Sequence, residues 1–381
     1  MTDKLRKEII DARTILGLCF VQMLYYQEAK QAIDPIIELA HQMNYEEKLS
    51  AILTITGNYE ILVKEDYSNG CKHFEDAVKI SSRVNDTNSL LIANWRLALT
   101  YCLNCEFEKA SRPFKQALDI CTAAKNLWGI ARVRSYEAFF LHFYPGNMNE
   151  AYLTAEDAIR NAEESGDTYS KAFAYPVLGI SYYGKGWFKD AIKAFLKGVA
   201  LCEKLNLSMW NAIARWILAE VYFEVGEYQQ SKHHYQVTVQ LLEQGNAHAS
   251  WISINKTGAE MAALRTGKKD IDMELLNRYM AVGKYKYANA WKAIYIAKIL
   301  LNSDKHYSRE ADNWIRKAIQ TAEQNRMMWH LAKSRALYAE FFKRKGDTLK
   351  AKKQLFKAIE IFKECGADGW VEKYEKEFAK F

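Results

Sequence analysis

A repeat of about 40 residues runs along the chain and limits what it can fold into. The pattern is a Leu, a small residue, a Tyr, a Gly, an aromatic, a second small residue and a second aromatic. Two consecutive copies, with the same spacing at every position, are Leu178, Gly179, Tyr182, Gly186, Phe188, Ala191 and Phe195, then Leu218, Ala219, Tyr222, Gly226, Tyr228, Ser231 and Tyr235. A repeat of this length holds one supersecondary unit, which buries its apolar face only by stacking on its neighbours.

Each unit is predicted to contain two helices. The small residue and the aromatic four positions later, as in Ala191 and Phe195, lie on one face of the second helix. The small side chain lets the two helices approach closely. Gly186 and Gly226 are suited to close the first helix with a left-handed residue. With only 4 Pro and 18 Gly among 381 residues, the chain also has few residues that break helices.

A second periodic set predicts the end of each unit. An Asn or Gly recurs with nearly the same period, apart from one skipped unit, at Asn44, Asn85, Asn126, Gly166, Asn206, Gly245, Asn325 and Gly366. These residue types tolerate positive φ and so end second helices. An aromatic follows shortly after, at Trp128, Tyr169, Trp210, Trp251, Trp291, Trp329 and Trp370. We interpret these rings as packing each new helix pair onto the preceding one.

These motifs resemble the tetratricopeptide repeat (TPR) family, whose usual unit is shorter, at about 34 residues. The longer period is similar to the superhelical sensor region of MalT-type transcription activators, and to regions of multidomain signalling ATPases and adenylate cyclases. The likeness covers essentially the whole chain. It implies an all-α fold, a right-handed α-solenoid of about nine antiparallel helix pairs forming a single domain over residues 1–381. A C-terminal capping helix at 369–381 would close it, and the context would be bacterial signalling.

Motifs for nucleotide or metal binding are incomplete. The segment from Gly179 to Lys185 spells most of a P-loop, but Gly186 stands where Ser or Thr would hold magnesium. Cys102 and Cys105 form half of a zinc clamp, with no second half at ligand spacing. We therefore expect no cofactor and no metal.

The histidines give no clear catalytic pattern either. His233 and His234 are predicted to lie on a solvated helix face, and His142 to be a packed core histidine. Nucleophile elbows and dinucleotide-binding loops are also missing from the sequence. The prediction is that the chain is not an enzyme.

Composition bears on compartment and partners. No stretch reaches the roughly 18 apolar residues of a membrane helix, and the start of the chain lacks a signal-peptide core. An odd set of seven Cys in apolar patterns predicts reduced thiols and a cytoplasmic location. The net charge of +7 comes from 53 basic and 46 acidic residues, so a nucleic-acid partner is not favoured.

Aromatic side chains are predicted to line the concave side, where first helices face inward. The candidates are Trp95, Tyr136, Phe140, Phe143, Tyr183, Trp216, Phe223, Trp291 and Tyr295. They favour a protein, a peptide or a small flat ligand in the groove. The alternative is that the rings pack as core between first helices. On the groove hypothesis, Trp216→Ala should weaken binding with little loss of helicity.

Arginines lie near these rings on the same helices. Arg96, Arg132, Arg134 and Arg215 are candidates to hold an anionic group of the ligand. The alternative is that each lies on an exposed helix face.

The first unit carries a separate prediction. The segment 16–26 is apolar around most of its circumference, whereas terminal repeats need a polar outer face. We expect an upstream effector domain, a partner or a second copy to cover it.

The leading hypothesis is a non-enzymatic binding solenoid that serves as a sensor or scaffold in bacterial signalling or transcription regulation. One alternative is a stand-alone peptide-pheromone-type receptor, although such regulators carry a separate N-terminal effector domain and this repeat begins near Asp11. Another is a regulatory fragment of a signalling enzyme. A phosphatase-like activity from helical Gln, Asp or Glu residues would be revealed by phosphate release from phosphorylated response regulators.

Overall fold

A computed structural model describes residues 2–303 and 308–381, and all regular structure within these ranges is helical. The first unit contains α1 (Asp3–Gln22), α2 (Tyr26–Ile33) and α3 (Ile37–Gln42), with a 3-10 turn at Asp34–Ile36. The next four units pair α4 (Glu46–Leu62) with α5 (Tyr67–Arg83), α6 (Thr87–Leu103) with α7 (Phe107–Ala123), α8 (Leu127–Tyr136) with α9 (Met148–Ser165), and α10 (Thr168–Lys185) with α11 (Phe188–Lys204). A π-helix at Glu137–Phe143 extends α8.

The remaining units have the same organisation. They pair α12 (Ser208–Glu224) with α13 (Tyr228–Glu243), α14 (Ala249–Arg265) with α15 (Met273–Ala281), α16 (Lys286–Leu301) with α17 (Ser308–Gln324), and α18 (Met328–Arg344) with α19 (Thr348–Glu364). The last helix is α20 (Asp368–Phe378). The predicted all-α, TPR-like solenoid of nine helix pairs is confirmed.

Left-handed residues end helices largely where the sequence predicts. Gly186 and Gly226 have φ of 83° and 88°, and Asn206 has φ of 55°. In three units the left-handed residue is a neighbour of the predicted one, namely Lys125, Asn246 and Arg326. The turn therefore keeps its place in the repeat, while the residue that bears the strain shifts by one position.

Successive turns of the superhelix touch each other. The Ser250 amide donates to Glu65, 185 residues away, the Lys185 ammonium donates to the Gly366 carbonyl, 181 residues away, and the Trp370 indole donates to the Tyr183 carbonyl, 187 residues away. One superhelical turn therefore takes nearly five units. Because the turns are in contact, the concave side closes into a packed interior.

Gly186 lies at one of these contacts. A Cβ at this position would be 2.6 Å from the Trp370 nitrogen and 2.7 Å from the Gly369 carbonyl carbon, both backbone atoms. Gly226 occupies the same place one unit later and has nothing within 4 Å of an added Cβ. The two glycines thus differ in their surroundings and share their backbone conformation.

This difference gives a matched test of the contact between turns. Gly226→Ala should lower the free energy of unfolding by about 1–2 kcal/mol, the cost of a left-handed Ala. Gly186→Ala should cost about 1–3 kcal/mol more, because the methyl group separates two backbone segments. Urea denaturation of both variants measures the difference, and equal losses would contradict the contact.

Candidate functional site: an arginine-lined cleft between superhelical turns

Most of the predicted groove residues do not face open space. Six of them are at most 2% exposed: Phe140, which lines the cleft described below, and five that do not, namely Phe143, Tyr183, Trp216, Trp291 and Tyr295. They contact rings from other units: the Phe143 and Trp329 ring centres are 5.4 Å apart, and those of Trp216 and Trp291 are 4.7 Å apart. The prediction of an open aromatic groove is wrong for these five residues, because the contact between turns fills the concave side.

Two of the predicted groove residues, Trp216 and Phe223, differ in burial. Truncation of the buried Trp216 would leave a cavity costing about 3–5 kcal/mol, so Trp216→Ala is a stability variant and not the clean binding variant that the sequence predicts. Phe223 is half-buried and packs against Tyr228, with ring centres 5.2 Å apart, and the Lys298 ammonium lies 5.0 Å from the Phe223 ring centre. It belongs to a charged region described below.

The other three predicted residues, Trp95, Tyr136 and Phe140, line a cleft of about 160 Å³. We call it the arginine cleft. Its walls include Tyr26, Thr54, Asn58, Trp95, Arg96, Arg132, Tyr136, Phe140, Phe173, Trp210, His248 and Trp251. Helices of the first five units form one side, and the starts of α12 and α14 form the other. The cleft is therefore enclosed between two superhelical turns.

Two arginines give the cleft its charge. The Arg96 and Arg132 guanidinium carbons lie 4.1 and 4.8 Å from the centre of the Trp95 ring. Arg96 is only 9% exposed, and burial lowers its pKa. Within residues 2–303 and 308–381, neither arginine forms an ion pair with a carboxylate, unlike Arg134 and Arg215. Two positive charges thus share one aromatic ring without an acidic partner.

The other two predicted arginines are already neutralised. Arg134 donates to Asp157 at 3.0 Å and to Glu137 at 2.8 Å. Arg215 pairs with Glu203 and contacts His234, whose Nδ1 is 3.1 Å away. The structure therefore corrects the prediction that Arg134 and Arg215 are available to an anion.

Several buried polar atoms at the cleft have no hydrogen-bond partner in the described part of the chain. They are Arg96 Nε, Trp251 Nε1, both ring nitrogens of His248, Asn58 Oδ1 and Thr54 Oγ1. Buried polar groups in proteins are normally paired. Burial lowers the pKa of His248 to about 3, so its imidazole is neutral at physiological pH. Burial also raises the pKa of Tyr26 to about 12, against the opposing charge of Arg96. The cleft therefore offers both donors and acceptors to a ligand.

The mouth of the cleft lies where the first unit meets the sixth. Leu24 and Asn206 line it, together with Met23, whose side chain is 59% exposed. Leu24 has φ of 66° and holds the same turn position that Glu65 holds in the second unit. Glu65 accepts from the amides of Ser250 and Lys284, at 2.8 and 2.6 Å. The leucine side chain has no acceptor, so Leu24 cannot form the side-chain hydrogen bonds between turns that Glu65 forms.

The π-helix shapes one wall of the cleft. Its seven residues begin directly after Tyr136 and include Phe140, and the two rings stack with centres 5.8 Å apart. π-Helices occur often at functional sites because the wider turn rotates the residues that follow. The repeat is one residue longer here, since His142 follows Tyr101 at a wider spacing than Tyr222 follows Tyr182. The insertion is accommodated where both rings meet the cleft.

Seven of the wall residues named above were not predicted to bind a ligand, and four of them illustrate why. Trp210 and Trp251 belong to the periodic aromatic set, which the repeat assigns to packing, and His248 and Asn58 belong to no motif. Asn58 and His248 come together because the Leu62 carbonyl accepts from the His248 amide at 2.7 Å, across superhelical turns. A single repeat unit carries no signal for such a contact.

A buried ionic network lies deeper in the same interior. Both Glu224 oxygens accept from ammonium groups: Lys298 at 3.0 Å, Lys333 at 3.0 Å and Lys373 at 2.9 Å. Glu224 has only 9% of its side chain exposed. The pKa of Glu224 lies well below its ordinary value; burial raises it, but the three ammonium charges lower it by more. Glu224 is therefore ionised and links α12 to α16, α18 and α20.

Glu220, one turn earlier on α12, extends this network. It accepts from the Tyr183 hydroxyl at 2.7 Å, the Tyr235 hydroxyl at 2.9 Å and the Lys333 ammonium at 3.3 Å. Tyr183 belongs to the fifth unit and Lys333 to the ninth. We call Glu220, Glu224, Lys298, Lys333 and Lys373 the ionic network, and it connects distant units across the interior.

Most residues of the incomplete motifs, and also His142 and His234, are largely buried. The P-loop-like segment lies in α10, and Cys102 is buried with a free thiol. No group of three potential metal ligands was found in the described residues. His142 is largely buried, with its pKa lowered to about 4 by burial. His234 is only 6% exposed, so its predicted place on a solvated face is wrong. None of the helices in the described ranges is long and apolar enough to cross a membrane.

Removal of one buried charge should destabilise the fold strongly. Glu224→Gln is expected to lower the free energy of unfolding by about 3–5 kcal/mol, because three ammonium groups lose their shared counter-charge. The matched control is Glu372→Gln on α20, whose exposed i,i+4 pair with Lys376 should contribute little. Urea denaturation measures both, and a small loss in Glu224→Gln would contradict the role of the network.

Acid should weaken the fold through the same carboxylate. Because the folded-state pKa of Glu224 is depressed, its stabilisation is complete above the ordinary value of 4.5 and is lost as pH falls through the lower folded value. The free energy of unfolding should therefore decrease below that pH. The decrease should be smaller in Glu224→Gln, and an identical pH dependence in both proteins would contradict the assignment.

Comparisons with known proteins agree with this geometry. Residues 64–367 match the model of the family described as the MalT-like TPR region. No curated protein matches the chain. Among solved structures, a Rap protein complexed with competence and sporulation factor matches with a TM-score of 0.62 and 11% identity, over 95% of this chain and 99% of that chain.

Two further structures have a similar fold. The apo form of RapI has a TM-score of 0.51 and 12% identity, over 93% of this chain and 98% of that chain. Aspartyl phosphate phosphatase F from Bacillus subtilis has a TM-score of 0.51 and 13% identity, over 95% and 94%. At such identities the likeness concerns the fold alone. Because the family model matches most of the 381 residues, the chain belongs to the MalT-like TPR region family.

Proposed function

We propose that the chain is a non-enzymatic binding solenoid that senses a ligand or peptide in bacterial signalling or transcription regulation. The observation that carries the proposal is the arginine cleft, a concave site between two superhelical turns with aromatic walls and two arginines that form no ion pair among the described residues. Concave apolar sites with a few convergent polar groups are the usual place for ligands. The free thiols of all seven cysteines support a cytoplasmic setting.

A ligand in the cleft would act on the superhelix as a whole. It would touch units one to five on one side and units six and seven on the other. It would enter beside Leu24, which forms no hydrogen bond to the opposite turn in the described part of the chain. Binding favours the conformation in which both walls engage the ligand, and so draws the two turns together. In a solenoid, small rotations in each unit add up at the ends. The ionic network links α12 to α20 and would carry the change toward the C-terminal helix.

A peptide is one supported class of ligand. The similar Rap protein was crystallised with competence and sporulation factor, and its fold is shared over nearly the whole of both chains. A stand-alone peptide receptor and a regulatory region of a larger signalling protein both fit this support.

The chemistry of the cleft supports binding without catalysis. Its walls among the described residues contain no carboxylate, and the pKa of His248 is lowered to about 3 by burial. A general acid or base works best with a pKa near the operating pH. Phosphate release from phosphorylated response regulators would contradict this part of the proposal.

A thermal-shift screen of short peptides and small metabolites tests the binding function. A compound present at 100 times its Kd should stabilise the protein by about 2.7 kcal/mol. Tyr136→Ala should abolish the gain, because the half-buried Tyr136 ring forms a cleft wall. Phe356→Ala, which truncates a 55% exposed ring on α19, is the control and should retain the gain. A screen without any stabilising compound would contradict the proposal, and so would a gain that survives Tyr136→Ala.

We propose the first unit as the surface that contacts an effector domain, a partner or a second copy. On α1, Leu5, Ile15 and Leu16 are 46%, 58% and 46% exposed. Exposed apolar patches of this kind mark interaction sites. An effector domain, a partner or a second copy would each cover these exposed side chains.

This surface should bind an apolar dye. Ile15→Lys should reduce the fluorescence of the bound dye, because it places a charge in the apolar face. Leu349→Lys, at an isolated 81% exposed position on α19, should not reduce it. A monodisperse monomer in sedimentation velocity, without dye binding, would contradict the assignment.

A further inference from the structure

We infer that the arginine cleft binds an aromatic anion, with its carboxylate paired to Arg96 and Arg132 and its single ring against the wall formed by Trp95, Tyr136 and Trp210. This inference rests on the proposed binding function and names the chemical class of the ligand. The shared chemistry is a carboxylate next to one flat ring. Two sources supply it, a free aromatic acid and the C-terminal residue of a peptide.

The charge of the cleft favours an anion. Arg96 is 9% exposed, its Nε has no partner in the described ranges, and no carboxylate there pairs with it. Burial of a charge without a counter-charge is costly, and a guanidinium cannot escape by losing its proton. Arg132 places a second positive charge at the same Trp95 ring. A carboxylate would relieve both charges and accept charge-assisted hydrogen bonds from them.

The size of the cleft limits the rest of the ligand to one ring. Its volume of about 160 Å³ is close to that of the engineered cavity of about 150 Å³ that holds benzene. Tyr136 lies with its ring centre 4.8 Å from that of Trp95 and 5.3 Å from that of Trp210. These rings form apolar walls against which a flat group packs. A peptide would therefore place only its C-terminal residue inside.

The mouth has the composition that such an entry needs. Met23 and Ser208 flank it, from the α1–α2 loop and the start of α12. Methionine side chains adapt to different partners because they are flexible and polarizable. Since Leu24 makes no hydrogen bond to the opposite turn in the described part of the structure, the ligand enters without breaking one. The same opening accommodates a free acid or the end of a peptide.

Calorimetric titration with three probes tests the inference on the full chain. Phenylacetate carries the ring and the carboxylate, phenylacetamide is its neutral isostere, and acetate lacks the ring. Phenylacetate should bind at least about 10-fold more tightly than either, the factor expected for a charge-assisted hydrogen bond of about 1.5 kcal/mol. If phenylacetamide bound as tightly as phenylacetate, the requirement for an anion would be wrong. If acetate bound as tightly, the requirement for a ring would be wrong.

Matched arginine variants locate the site. Arg132→Gln and Arg96→Met should each weaken phenylacetate binding about 10- to 100-fold. Arg134→Gln is the control on the same helix as Arg132, because Arg134 already pairs with Asp157 and Glu137. It should leave the affinity unchanged. Equal affinity in all three variants would overturn the assignment.

The apo proteins provide a second readout that a merely structural role would not give. Removal of a buried charge that has no carboxylate partner among the described residues should leave the Tm of Arg96→Met at or above that of the wild type. Loss of the paired Arg134 should lower the Tm. A marked loss of Tm in Arg96→Met would indicate that Arg96 supports the fold, and would overturn its assignment as a ligand-binding charge.

Peptide probes distinguish a free aromatic acid from a peptide C-terminus as the ligand. Together with the thermal-shift screen, they also distinguish failure of the aromatic-anion proposal from failure of the binding function. If the ligand is a peptide C-terminus, Gly-Gly-Phe with a free carboxylate should bind and its C-terminal amide should not. If phenylacetate binds and Gly-Gly-Phe does not, the ligand is a free acid. If neutral compounds from the thermal-shift screen bind through Tyr136 while all anions fail, the aromatic anion is wrong and the binding function stands. If both experiments fail, both proposals are wrong.

Discussion

The contact between successive superhelical turns determines most of what is specific to this protein. Stacked helix pairs alone would leave a concave groove, because each unit touches only its neighbours. Here residues about 185 positions apart form hydrogen bonds, as Glu65 and Ser250 do. Groove-facing rings such as Phe143 and Trp329 then pack against each other as core. The site that remains is the space that this packing leaves open.

Charge is distributed unequally within that interior. In the ionic network, Glu220 and Glu224 are surrounded by three lysines and by tyrosine hydroxyls, so the buried charges are compensated by geometry. At the arginine cleft, Arg96 and Arg132 both lie against the Trp95 ring, and no carboxylate among the described residues lines the cleft. Uncompensated charge lowers stability, whereas compensated charge fixes the arrangement of helices. The network is therefore structural, and the cleft is suited to an anionic ligand.

The sequence predicted the parts of the fold that repeat and missed the parts that do not. Helix pairs, their turns at Gly186 and Gly226, and their number all follow from the periodic pattern. The same pattern places Trp216 and Tyr183 on the concave side, but it carries no information about what lies opposite them. Arg134 and Arg96 look alike in sequence; the carboxylates of Asp157 and Glu137 beside Arg134 separate a structural from an available charge. Likewise, Trp251 belongs to the packing set and to the cleft at once.

The mouth of the cleft lies beside a turn position whose residue differs between units. The same turn position is occupied by Leu24, Glu65, Cys105, Gly146 and Gly186 in the first five units. Glu65 bonds across to the seventh unit, and the glycines bring backbone atoms of the ninth unit and α20 close enough that an added Cβ would lie 2.8 and 2.6 Å from them. Leu24 is too large for close backbone approach and has no polar group to bridge the gap. Within the described ranges, the first unit therefore contacts the sixth without a hydrogen bond from Leu24. The mouth of the cleft lies at that junction, because the Leu24 side chain can neither form such a bond nor let the two backbones approach closely.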